Sequence, residues 1–168
     1  MVSNLTKGHP FPDYELVAPI LPFLKGCLTI ENEKVLEYAL WSLSYLSDGE
    51  DFKSKQILKL NRTKRIIDLA LYENKKLTLP AVRVISNILS SDDEDLFIMI
   101  QNGVIDALLT NIENENKIIR KEVCFGISNL FASNEDVIEI VLNHKIMISV
   151  FTHAFYDEIF VKIIYDNN

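Results

Sequence analysis

The sequence repeats itself every 42 residues, and this period restricts the possible folds more than any other feature of the chain. Leu24, Ile66, Leu108 and Val150 form one aliphatic column at this spacing, and Val35, Leu77, Ile119 and Val161 form another. A polar turn recurs in the same register as Glu31-Asn32, Glu73-Asn74, Glu115-Asn116 and Asp157-Glu158. A further pair of columns runs from Trp41 and Tyr45 through Arg83 and Asn87 to Phe125 and Asn129. Apolar and polar columns held in one register without gaps mean that the same supersecondary piece is stacked on copies of itself.

That piece is helical. In the stretch EYALWSLSYLSDG, residues 37–49, a turn of 100° per residue brings Ala39, Leu43 and Leu46 onto one face, flanked by Leu36 and Leu40. On the opposite face Lys34, Glu37, Trp41, Tyr45 and Asp48 recur at helical spacing, so two large aromatics stand beside carboxylates where a plain surface helix would carry only polar groups. Helical units with a period in the low forties are armadillo or HEAT repeats, since tetratricopeptide and ankyrin units run to about 33 or 34 residues. The expected fold class is therefore all-α, an α-solenoid forming a single segment over 1–168. Its units fall at roughly 16–49, 50–91 and 92–133, with a partial unit at 134–168 and a remnant of a preceding repeat and loop at 1–15.

Within these units one helix is expected from Leu16 to Leu28, with Pro19 and Pro22 in its opening turns, where a missing N–H is tolerated. The Trp41 helix should stop at Gly49. Helices are also expected at Asp51–Leu60, Thr63–Leu71, Leu77–Ser90, Val104–Ile112, Ile118–Ala132, Val137–Leu142 and Ile146–Phe155. Asn102-Gly103 reads as a tight turn. The acidic run Asp92-Asp93-Glu94-Asp95 reads as the charged start of the helix carrying Leu96 and Met99, where the helix dipole favours acids. Ser3-Asn4-Leu5 echoes Ser44-Tyr45-Leu46, so the chain is expected to begin in mid-repeat and to stop before its fourth unit is complete.

Composition narrows the function. A net charge of −7 argues against a nucleic-acid partner, which needs a basic footprint, and suits a basic one. Cys27 and Cys124 lie at different repeat positions without CxxC spacing, as small core residues in a reducing compartment would. No apolar run approaches the ~18 residues of a membrane span, so no membrane is expected as a partner. His9, His144 and His153 show no metal-binding spacing, and there is no GxSxG and no glycine-rich phosphate loop. No enzymatic activity, cofactor or metal is expected.

The repeated polar face suits an extended peptide. An Asn carboxamide offers both a donor and an acceptor, so Asn87 and Asn129 can hold a peptide backbone without reading its side chains. Trp41 and Phe125 would wall the slots between them. Aromatic walls take lysine and arginine stems, with Glu37, Asp48 or Glu122 meeting the charged head. Two helix steps of ~8–10 Å span about six residues of strand.

The strings ALWSLSYLSDG (39–49), LPAVRVISNI (79–88) and KEVCFGISN (121–129) resemble the armadillo repeats of importin-α. The resemblance covers essentially the whole chain and implies a right-handed solenoid of about three repeats plus partial end units, similar to the family's fifth to seventh repeats. It implies a nuclear import adaptor that shuttles between cytoplasm and nucleus and binds basic nuclear localisation signals along a ladder of third helices. Tyr45 and Arg83 match the spacer between the family's two signal sites. Asn87, Asp93, Glu122 and Asn129 match its minor site, as does Phe125, where the family normally has Trp. Importin-β would be a partner through a segment that this sequence does not contain. The alternative is an armadillo scaffold for a signalling or cytoskeletal protein. Lastly, Leu21, Leu24 and Leu28 at one end, and Phe151, Phe155, Phe160 and Ile164 at the other, are expected to lack a covering repeat and to drive end-to-end self-association.

Overall fold

A computed structural model describes Thr6 and residues 12–144 of the chain. The described residues are helical and connected by short turns, without a strand. The helices are α1 (Tyr14–Val17), α2 (Leu21–Cys27), α3 (Glu33–Leu46), α4 (Asp51–Leu58), α5 (Thr63–Ala70), α6 (Lys75–Ile88), α7 (Asp93–Gln101), α8 (Val104–Ile112), α9 (Lys117–Phe131) and α10 (Glu135–Asn143). The Asn4 remnant, the Ile146–Phe155 helix and the four apolar residues expected to be bare after Val150 lie outside the described residues.

The repeated Glu-Asn turn is a helix-capping device. Asn32, Asn74 and Asn116 each precede a long helix, and each side-chain oxygen accepts from the first turn: from Lys34 and Val35 N–H, from Lys76 N–H and from Ile118 N–H. These contacts satisfy donors that a helix N-terminus leaves without partners. The long helices they start, α3, α6 and α9, pack side by side, α3 on α6 and α6 on α9. The shorter helices cover them from behind, with α2 on α3, α5 on α6 and α8 on α9. The aliphatic columns lie between these layers: Leu24, Ile66, Leu108, Leu77 and Ile119 are all 2% exposed or less.

Several boundaries differ from the sequence expectation. The single helix expected from Leu16 to Leu28 is broken into α1, a 3-10 turn at Ala18–Ile20, and α2. Pro19 and Pro22 sit at the starts of the last two pieces, because neither can donate the hydrogen bond that a continuous helix needs there. Pro80 lies inside α6 and is buried. The α3 helix stops at Leu46 with Ser47 as its C-cap, short of the expected stop at Gly49; Gly49, in the turn that follows, and Gly103, which opens α8, hold left-handed backbone at φ 100° and 87°. Asp92 caps α7 by accepting from Asp95 N–H, so the acidic run does begin that helix.

The expectation that Leu21, Leu24 and Leu28 form a bare end is wrong. They are 7%, 1% and 0% exposed, turned inward toward the core beneath α3. On α1 and α2 the large apolar side chains open to solvent are Leu16 and Phe23, and Ile30 is exposed in the turn that follows. Cys27 and Cys124 are both buried.

Candidate functional site

The polar faces of α3, α6 and α9 lie next to one another because these helices pack in parallel register, and the column residues meet there. On α3 the rings of Trp41 and Tyr45 stack with centroids 5.9 Å apart and planes at 23°. From α6, the Arg83 guanidinium sits over the Tyr45 ring, 5.8 Å from its centroid. Its Nη2 reaches Asp48 Oδ2 at 3.6 Å, in a pair whose side chains are about one-third exposed. A cation between an aromatic face and a carboxylate is held by the ring quadrupole and by charge together. The next element in the row is Glu122 on α9. Burial raises its carboxyl pKa above the ordinary glutamate range, while Arg83 and Lys121 pull it back and Asp48 adds to the rise. Phe125, one turn further along α9, is 38% exposed.

The two asparagines are not equivalent. Asn87 is buried, and its amide nitrogen donates to Ser44 O and to Ser47 Oγ, both at 3.0 Å. Both N–H groups are thus used in tying α6 to the end of α3, which leaves only the oxygen for a ligand. Ser54 Oγ donates to the backbone carbonyl of Asn87 at 3.2 Å, adding α4 to the same joint. Asn129 is half-buried and makes one longer bond, from Nδ2 to Ser86 O at 3.4 Å. The Ser-Asn pairing that recurs in the sequence is therefore an inter-repeat joint, each Asn amide reaching the Ser carbonyl of the unit before. Asp93 accepts from Asn134 N–H at 3.3 Å and so caps the approach to α10.

Two features of this face, and the burial of Asp95 on α7, were not read from the sequence. Tyr38, half-exposed and one turn before Trp41, extends the aromatic row on α3 to three rings; its i, i+3 spacing to Trp41 was the available signal. Ser86 Oγ donates to the Glu122 backbone carbonyl at 2.7 Å, clamping α6 to α9. Asp95 is buried, with one carboxylate oxygen lacking a hydrogen-bond partner. No periodicity reports that kind of contact. Among the described residues no group of three or more His, Cys, Asp and Glu is placed to hold a metal ion. No helix among them is long and apolar enough to cross a membrane.

Three-helix units stacked along one axis, with their long helices sharing a polar ladder, define an armadillo-repeat solenoid. Solved armadillo structures agree. A designed armadillo repeat protein in complex with the peptide (KR)4 superposes with a TM-score of 0.84 at 18% identity, over 96% of this chain and 68% of that one. A computationally designed armadillo repeat protein for modular peptide recognition gives 0.79 at 16% identity, over 90% and 64%. No family model matches the chain. The curated relatives that it matches include importin alpha subunits. Importin subunit alpha-1a of Oryza sativa subsp. japonica is 35% identical over 147 residues, 87% of this chain and 28% of that protein. Importin subunit alpha-4 of Arabidopsis thaliana is 34% identical over 150 residues, 88% and 28% respectively. Importin subunit alpha-B of Dictyostelium discoideum is 33% identical over 91 residues, 54% and 18%. The chain is an armadillo segment of the importin-α family, and it spans 28% of the length of the rice and Arabidopsis relatives.

Proposed function

We propose that the face formed by α3, α6 and α9 binds an extended, lysine- and arginine-rich peptide of the nuclear localisation signal type, and that the chain serves nuclear import as an adaptor segment. The observation that carries this reading is the seat of Arg83. A guanidinium rests there on an aromatic ring and against a carboxylate, the arrangement that a peptide arginine would need. The (KR)4 ligand of the structurally similar designed protein supports the same peptide chemistry. At Tyr45 the seat is already filled by the chain's own cation. Tyr45, Asp48 and Arg83 therefore act as the spacer, and the open positions lie further along, at Glu122, Phe125 and Asn129 with the oxygen of Asn87 and with Asp93. Phenylalanine offers a smaller ring than tryptophan, so the Phe125 wall holds a cation weakly. In this role the protein moves between cytoplasm and nucleus and works with importin-β.

Fluorescence anisotropy with a labelled bipartite basic peptide tests the reading. Weak binding that fades with added salt is expected, and Arg83→Trp, which removes a like charge and adds a wall, should tighten it. Preference for an acidic peptide would refute the import reading and favour an armadillo scaffold for another class of partner. Unchanged or weaker affinity in Arg83→Trp would remove the spacer role.

A further inference from the structure

The slots between successive units are built from the same sequence positions, so their differences show what each can hold. Adding the 42-residue period to Asp13 and Glu50 gives Lys55 and Asp92. In the later slot these two form an ion pair at 2.5 Å that ties α4 to the start of α7. In the earlier slot both positions are acidic, so Asp13 and Glu50 cannot pair with each other as Lys55 and Asp92 do. Adding 42 to Tyr14 and Phe52 gives Gln56 and Glu94, so the earlier slot alone is lined with rings at these positions.

The result is a cleft of about 350 Å³ lined by Asp13, Tyr14, Tyr45, Glu50, Phe52 and Lys53 among others. Its volume lies at the small end of the ~300–1,000 Å³ range of ligand pockets. The Tyr14 and Phe52 rings meet edge to face, with centroids 5.1 Å apart at 88°. The Tyr14 hydroxyl is buried without a hydrogen-bond partner, although a buried phenol ordinarily has one. The cation in the lining, Lys53, donates from Nζ to the Asp48 carbonyl at 3.1 Å and stands 6.0 Å from the Tyr14 centroid. Glu15 also lines the cleft, so among the described residues three carboxylates line it with one ammonium.

We propose that this cleft is an additional subsite for a cationic side chain, an arginine or lysine of the peptide laid along the α3–α6–α9 face. The proposal rests on the peptide-binding reading above, and Tyr45 connects the two, since it lines the cleft and also carries Arg83 on its ring. The incoming side chain would supply the charge that Lys55 supplies one unit later. Its stem would pack on the Tyr14 and Phe52 rings, and its head would meet Asp13, Glu50 and the Tyr14 hydroxyl oxygen.

Two probes separate the subsite from the reading it rests on. The first is N-acetyl-arginine amide, titrated at millimolar concentration while the Tyr14 and Phe52 ring signals are followed by NMR, with the uncharged citrulline analogue as control. The second is the labelled peptide (KR)4 in anisotropy. Both are applied to the wild type, to Glu50→Lys, which places a cation across from Asp13, and to Glu50→Gln as a milder variant at this exposed position. The expected result is that arginine shifts both rings and citrulline does not, that Glu50→Lys abolishes the shift, and that its (KR)4 affinity falls about tenfold, with a smaller loss in Glu50→Gln. If (KR)4 binds while the ring signals stay in place, or Glu50→Lys leaves its affinity unchanged, the subsite is overturned and the peptide face stands. Ring shifts with arginine but no binding of (KR)4 overturn the peptide face and leave the cleft as a cation site. Failure of both probes overturns both.

Discussion

Replacing Gly126 by alanine tests how closely α9 approaches α6. A Cβ at this position would lie 2.8 Å from Ser86 Oγ and 3.4 Å from methyl carbons of Leu89 and Leu108. Real Cβ contacts do not come so close to an oxygen, so either Ser86 turns away or the helices separate. Ser86 is fully buried, and its hydroxyl donates to Glu122 O. Leaving it without a partner costs about 1–3 kcal/mol. Against this, alanine in a helix interior is favoured over glycine by about 1 kcal/mol. The net expectation is a loss of about 1 kcal/mol, or about 2–4 °C in Tm for a chain of this size. Gly26→Ala provides the reference, since a Cβ there meets nothing within 4 Å, and it should raise stability by about 0.5–1 kcal/mol. Urea and thermal unfolding followed by circular dichroism measure both. Adding Ser86→Ala completes a double-mutant cycle: removing the oxygen makes room for the new methyl, so the double variant should be more stable than the sum of the singles by about 1 kcal/mol. An additive cycle, or a Gly126→Ala as stabilising as Gly26→Ala, would refute the close approach.

Other consequences follow from the joints and the carboxylates. Asn87→Ala should cost about 2 kcal/mol in the same unfolding assay, because it removes the two buried hydrogen bonds from the amide to Ser44 O and Ser47 Oγ and leaves only the 3.3 Å bond from Ser47 Oγ to Ser44 O at that joint. Burial raises the Asp95 pKa in the folded protein, the Ser91 hydrogen bond offsetting part of the rise. Its ionisation therefore opposes folding, by an amount that is absent below the unfolded-state pKa of about 4 and grows as pH rises through the raised folded value. Asp95→Asn should accordingly stabilise the protein at neutral pH, with the advantage vanishing on acidification in a Tm series. Glu122, also raised by burial, should lose its charge at higher pH than an ordinary glutamate as the solution is acidified. Affinity for a basic peptide should then fall on acidification in the wild type before it does in Glu122→Gln, as read by anisotropy across that pH range.

The 42-residue columns made the architecture legible because a stacked repeat must put the same chemistry at the same place in every unit. Leu24, Ile66 and Leu108 are core in the fold as they are in the pattern, and the Glu-Asn turns start the long helices where the period puts them. The polar face was legible for the same reason: Trp41 and Tyr45 stack because they are one helical turn apart on one element.

What a column does depended on distances between helices, which the period does not contain. Asn87 and Asn129 share a column, yet one has both amide hydrogens tied to the unit before and the other has a single 3.4 Å bond. Leu21, Leu24 and Leu28 looked bare at an end, whereas the direction of α2 turns them inward and leaves Phe23 outside. Arg83 belonged to a ladder of walls by its position, and only the packing of α6 on α3 put its charge on Tyr45 and beside Asp48. The sequence determined the repeat, its helices and the side chains available to each face, because these follow from local periodicity. The tertiary structure decided which of those side chains are used between units and which remain open to a ligand, because hydrogen bonds and ion pairs depend on fractions of an ångström between residues some forty positions apart.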